Sequence, residues 1–133
     1  RAKTRRIAAH IEPDGSQPHE LERTKSLDYS LMNLRGLFYL AAVGACVEVD
    51  LWNFVTEDGR SLRAALDFLA PYADFERPWP HEQIHPSPAR REALPVLLVW
   101  GWQEWDPAHY AAFLDRLPEE IWRAHRARLL FAL

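Results

Sequence analysis

The stretch PHELERTKSLDYSLMNLRGLFYLAAVGAC, residues 18–46, joins a dense set of charges to a long apolar run. Leu27, Leu31, Leu34, Phe38 and Ala41 recur at helical spacing, and Leu37, Leu40 and Val43 widen the stripe. The pattern predicts a helix that begins between Glu20 and Ser26 and ends near Cys46. From Gly36 onward the segment is apolar nearly all round, which predicts burial on more than one side. Cys46 closes the run and reads as a buried small hydrophobe. At the other end His19, Glu20, Glu22, Arg23, Lys25 and Asp28 are packed together ahead of Tyr29. A helix entrance needs a cap and a few acids. This density of both signs marks either a solvated cap or the rim of a site.

Outward from that helix, strand signals are poor and helix punctuation is frequent. Ile7 and Ile11 stand at i, i+4 in the last turns of a helix that Pro13 terminates, and Pro13-Asp14-Gly15 supplies turn chemistry. Downstream, Asp58-Gly59 is a turn and Ser61 a plausible N-cap for a short helix carrying Leu62, Leu66 and Leu69 on one face. The stretch PYADFERPWPHEQIHPSP, residues 71–88, is too rich in proline to be helical. Ser87-Pro88 then starts a helix to about Glu104, with a kink predicted at Pro95. Asp106-Pro107 and Leu117-Pro118 open two more. The chain therefore reads as all-α, in helix pairs of uneven length.

The bulk composition excludes several classes of function. A length of 133 residues fits one domain or a piece of a larger one, and a formal charge of −3 gives no basic field for nucleic acid. No apolar stretch reaches the roughly 18 residues that span a bilayer, so membrane insertion is not expected. A single cysteine rules out an internal disulfide and a thiolate metal cluster. The opening RAKTRRIAAHI has neither an initiator Met nor a signal-peptide core and reads as the interior of a longer protein.

Candidate chemistry narrows quickly. The six histidines form neither an HExxH motif nor a Cys/His group, and prolines around His81 and His85 argue against a helix that would align them. No nucleophile elbow or glycine-rich phosphate loop is present. Trp100, Trp102 and Trp105 fall within one apolar helix and read as packing residues. Arg23 and Tyr29 remain. A tyrosine ordinarily titrates near pH 10 (roughly) and is a poor base at neutrality. A neighbouring guanidinium favours phenolate and makes tyrosine a usable proton carrier. Six residues on a continuous helix place the two side chains about 120° apart. They converge only if Arg23 sits before the helix settles into register.

The segments DGSQPHELERTKSLDYSLMNL and DLWNFVTEDGRSL resemble the alginate lyase family of bacterial polysaccharide lyases, through the pattern DGxQxxELxRTxSxxYSxxNL followed by DLWxxxxxDGRSL. The similarity runs from about Ile7 to Ile84, and the tail from Tyr110 also looks like the close of such chains. The resemblance implies the C-terminal part of an (α/α) toroid, an incomplete barrel of paired antiparallel helices, over residues 1–133. It implies β-elimination on a 1,4-linked uronate polysaccharide with no redox cofactor and usually no metal. Tyr29 would transfer protons, and Arg23 would support its charge or the substrate carboxylate. Gln17 and Glu20 match positions near the cleft mouth, while Arg23, Lys25 and Arg35 could form a local basic cleft for the anionic glycan. Relatives of this kind also use an Asn and a His from an earlier helix pair. Here the only asparagines are Asn33 and Asn53, with no Asn-His step, so that half of the site is expected upstream. Tyr29 is followed by Ser30 where the alginate-specific branch has His, which leaves alginate, polymannuronate and glucuronan open as substrates. The family implies a periplasmic or secreted setting. The competing readings are a non-catalytic acidic-glycan-binding or structural domain on the same scaffold, and a helical interaction module.

Overall fold

A computed structural model describes residues 1–132, with side-chain surroundings for residues 1–125. Its elements are helical: a π-helical turn Lys3–Ile7 running into α1 (Ala8–His10), then α2 (Pro18–Leu21), α3 (Ser26–Cys46) and α4 (Leu62–Leu69). A 3₁₀ turn, Ala70–Ala73, follows, then α5 (Pro88–Glu92), α6 (Leu94–Glu104), α7 (Pro107–Leu114) and α8 (Glu119–Ala132). Among the described residues the only β-type pairings are two isolated bridges, Lys25 with Gln83 and Val55 with Ser61. The expected all-α chain is what the structure shows.

The caps fall where the sequence places them. Ser61, Ser87 and Asp106 each accept a hydrogen bond from the backbone N–H three residues on, opening α4, α5 and α7. The core is built around α3, whose Leu27, Leu31, Leu34 and Phe38 meet Leu62, Leu66 and Leu69 of α4 and Leu94, Leu97 and Leu98 of α6 in one apolar cluster. Phe38 is stacked against Trp100 and edge-on to Trp52 and Trp105, with ring centroids 5.0 to 5.7 Å away. Two of the three clustered tryptophans thus pack on the core. Trp102, at 44% exposure, does not and instead faces a shallow groove shared with Trp122.

The DGRSL segment has a structural meaning. Gly59 takes a positive φ of 91° at the turn, and Arg60 reaches back to donate to the carbonyls of Ala8 and Ile11. Those are carbonyls at the C-terminal end of α1, which has no further turn to satisfy them. Gly15, with φ 88°, lies so close to α4 that a Cβ would meet the Ala64 carbonyl oxygen at 2.0 Å. The segment that carries Gln17 is therefore pinned against the core.

Two expectations need correction. Helix α3 is not enclosed over its second half: Leu37, Phe38, Ala41 and Gly44 are buried, but Tyr39 (54%) and Val43 (62%) are exposed. Met32, Gly36, Tyr39, Val43 and Cys46 follow at i, i+4, i+7, i+11 and i+14, so they share one outward face. Composition cannot reveal that α4 and α6 cover only the opposite side. Cys46 is accordingly exposed, because it belongs to the uncovered stripe. The irregularity expected at Pro95 falls at Ala93, between α5 and α6, where the backbone stays helical at φ −94° and ψ −44°. Proline has no N–H to donate to the carbonyl four residues back, which belongs to Arg91. His125 of α8 takes that oxygen instead, through Nε2 at 3.0 Å.

Candidate active site

The short α2 ends at Leu21 and α3 begins at Ser26, so Arg23 lies on the link between them. The link removes the 120° offset. The Arg23 guanidinium carbon stands 3.7 Å from the centroid of the Tyr29 ring, a cation–π stack. Glu20 pairs with the same guanidinium, its carboxylate 3.8 Å from Arg23 Nη1. Half-exposed Arg23 is thus braced by an acid and an aromatic face. Lys25 and Tyr29 line a cavity of about 380 Å³, together with Met32, Arg35, Pro88 and Glu92.

Gln17 lies inside the fold, at the start of the segment that leads to Arg23. It is 2% exposed, its Nε2 donates to the Ser30 carbonyl and its Oε1 accepts from Asn33 Nδ2 at 2.7 Å. Both ends of the amide are used to hold the entering segment against α3. The turn ahead of it is fixed by Asp14, which accepts from the Ser16 N–H. Hydrogen bonds from Ser16 hold the Asp14 carboxyl below its ordinary value.

A clasp behind Tyr29 was not visible in the sequence. Asp28 is 7% exposed and accepts from Ser87 Oγ and the Ala89 N–H through Oδ1, and from Gln83 Nε2 through Oδ2. Gln83 Oε1 in turn accepts from the backbone N–H groups of Leu27 and Asp28. Ser26 donates to the Glu82 carbonyl and accepts from Trp79 Nε1. The proline-rich excursion is therefore tied across the first turn of α3, where α3 leaves its own N–H groups unpaired. Arg90 fixes the excursion's other end by donating to the carbonyls of Tyr72, Asp74 and Arg77. Burial lowers the Arg90 pKa from its ordinary value, opposed by Asp74 and then Tyr72. The contacts of Ser26, Leu27 and Asp28 join residues more than fifty positions apart. The local sign was the surplus of polar residues around Ser26 and Asp28.

Among the described residues no three His, Cys, Asp or Glu side chains come together as a metal site requires, and no helix is long and apolar enough to cross a membrane. The sequence model of the family Alginate lyase matches residues 1–79. This chain belongs to the alginate lyase family. A crystal structure of an alginate lyase from Bacteroides ovatus superposes with a TM-score of 0.76 at 36% identity, over 87% of this chain. No curated protein matches the chain. The match covers 31% of the Bacteroides chain, so this alginate lyase family chain spans about a third of that solved protein. The family match contains the whole Arg23–Tyr29 segment but stops short of Gln83 and Ser87. The clasp therefore lies half inside and half outside the stretch that identifies the family.

Proposed function

We propose that this chain is the C-terminal part of an α/α-toroid polysaccharide lyase that cleaves a 1,4-linked uronate polymer by β-elimination. The observation that carries the reading is the Arg23–Tyr29 stack at 3.7 Å, beside a cavity that Tyr29 shares with Lys25, in a chain of this family. A sugar carboxylate neutralised in the cleft makes the C5 proton acidic. Tyr29 takes that proton, the C5–H electron pair forms the C4–C5 double bond, and the C4–O4 bond breaks. The departing O4 receives a proton, leaving a 4,5-unsaturated uronate at the new non-reducing end.

In this reading Arg23 supports negative charge at Tyr29 or on the substrate, and Lys25 binds the polyanion. Glu20 is a positioning residue, because an acid paired to Arg23 would repel a uronate if it faced one directly. Gln17 is assigned to holding the segment rather than to the sugar. Neutralising partners come from residues beyond this chain, which lacks an Asn-His step. The chemistry draws on side chains alone, and the setting is periplasmic or secreted, where acidic glycans are met. Alginate, polymannuronate and glucuronan are the candidate substrates.

The test is a panel of acidic glycans offered to the full-length protein, followed by ultraviolet absorbance of the unsaturated uronate. Wild type should generate the chromophore, and Tyr29→Phe should lose at least about 100-fold in rate, the scale of a lost general acid–base group. Equal rates for the two proteins would remove Tyr29 from the reaction. Binding across the panel without any chromophore would favour a non-catalytic glycan-binding domain.

A further inference from the structure

We propose that Arg35 anchors the carboxylate of a second uronate residue, in a flanking subsite that continues the Tyr29 cavity around α3. The proposal rests on the uronate reading above and adds a residue and a direction to it. Arg35, Pro88 and Glu92 line the Tyr29 cavity and also line a larger neighbouring cavity of about 740 Å³, which extends to Arg91 and His125. The two spaces are neighbours along that shared wall.

Arg35 stands six residues beyond Tyr29 on continuous α3, about 9 Å along the helix axis and about 120° around it, so the path from one to the other winds around the helix. That separation exceeds a single sugar ring, so a glycan reacting at Tyr29 reaches Arg35 with a neighbouring residue. Arg35 is partly exposed and has no ion pair or side-chain hydrogen bond among the described residues, whereas Arg91 is 3.9 Å from the Glu120 carboxylate. Arg35 is therefore the cation available in the shared wall. Its planar guanidinium matches a carboxylate with two parallel hydrogen bonds, which a lysine ammonium cannot do. Met32 and Pro88 give the apolar surface against which the C–H face of a sugar packs.

Glu92 lines the same two cavities and has no cationic partner among the described residues. Its negative charge opposes a polyanion. The two side chains therefore make opposite predictions, which a merely structural role for either would not produce.

The experiment uses the full-length protein and measures binding of a uronate hexasaccharide and of the same hexasaccharide with its carboxyls reduced to alcohols. Arg35→Ala and Arg35→Gln should each weaken hexauronate binding about tenfold, the value of one hydrogen-bonded charge pair. Neither should change binding of the reduced sugar. Glu92→Gln should tighten hexauronate binding about twofold to threefold, and added salt should shrink both effects. Arg116→Ala, in the exposed turn after α7, is the control variant. Unchanged hexauronate affinity in both Arg35 variants, or an equal loss for the reduced sugar, would overturn the proposal. The outcome separates from the lyase reading. Arg35-dependent binding without unsaturated product sinks the reaction and keeps the subsite, while Tyr29-dependent turnover with silent Arg35 variants does the reverse. Absence of binding to either sugar overturns both.

Discussion

Replacing Asp28 by Asn tests the clasp that holds the start of α3 in place. The substitution is nearly isosteric, so packing is kept and only hydrogen bonding changes. The carboxylate accepts three bonds, from Ser87 Oγ and the Ala89 N–H on Oδ1 and from Gln83 Nε2 at 3.0 Å on Oδ2. An amide offers one acceptor where two are needed. If its oxygen faces Ala89, its NH₂ faces the Gln83 NH₂; if it is turned round, its NH₂ faces the Ala89 N–H. Gln83 cannot escape by flipping, because its Oε1 already accepts from Leu27 and Asp28. One charged hydrogen bond is lost and a buried donor is left facing another donor, together costing about 3 kcal/mol. With a urea m-value of about 2 kcal/mol/M, the unfolding midpoint should fall by roughly 1.5 M. Tryptophan fluorescence would follow the transition. In a Gln83→Ala background the clash disappears, so Asp28→Asn should cost at least about 1 kcal/mol less there than alone. A midpoint shift corresponding to under about 0.5 kcal/mol, or strict additivity of the two changes, would refute the reasoning.

Further predictions concern the supports of the site. Gly15→Ala should destabilise by about 3 kcal/mol or more by urea titration, since φ is 88° and the new Cβ would meet the Ala64 oxygen at 2.0 Å; a neutral variant would mean that the turn is not held against α4. Ser30 Oγ is buried with no hydrogen-bond partner among the described residues, so Ser30→Ala should raise stability by about 1 kcal/mol, and a loss of that size would show a bonded hydroxyl. Burial, and then the hydrogen bond to Asp67 at 2.7 Å, raises the Tyr110 pKa above its ordinary 10.0. The folded protein thus keeps a proton that the unfolded chain gives up, so stability is complete below about pH 10 and falls as pH rises further. Melting temperatures should show this alkaline fall, and Tyr110→Phe should flatten it; an equally steep fall in that variant would assign the effect elsewhere.

The legible parts of this protein are those that depend on local chemistry. The stripe of Leu27, Leu31, Leu34 and Phe38 specified the central helix, and Ser61, Ser87 and Asp106 marked where others start, because a cap acts within three residues of itself. The charged entrance to α3 stood out for the same reason. Its two central residues could be paired only on the condition that Arg23 precede the helix, and the break between α2 and α3 meets that condition.

Other features depended on which surfaces meet. Gln17 carries the right group for a sugar contact, yet its amide is enclosed by Ser30 and Asn33. Val43 and Cys46 look like core residues, yet they lie on the side of α3 that the other helices leave open. Asp28 resembles an ordinary first-turn acid until Gln83, Ser87 and Ala89 close around it from more than fifty residues away. Periodicity and capping act over a few residues, so the sequence by itself determined the helices and the charged entrance. Burial and hydrogen-bond pairing are decided between distant segments, so only the tertiary structure decided which side chains support that entrance and which remain free to act.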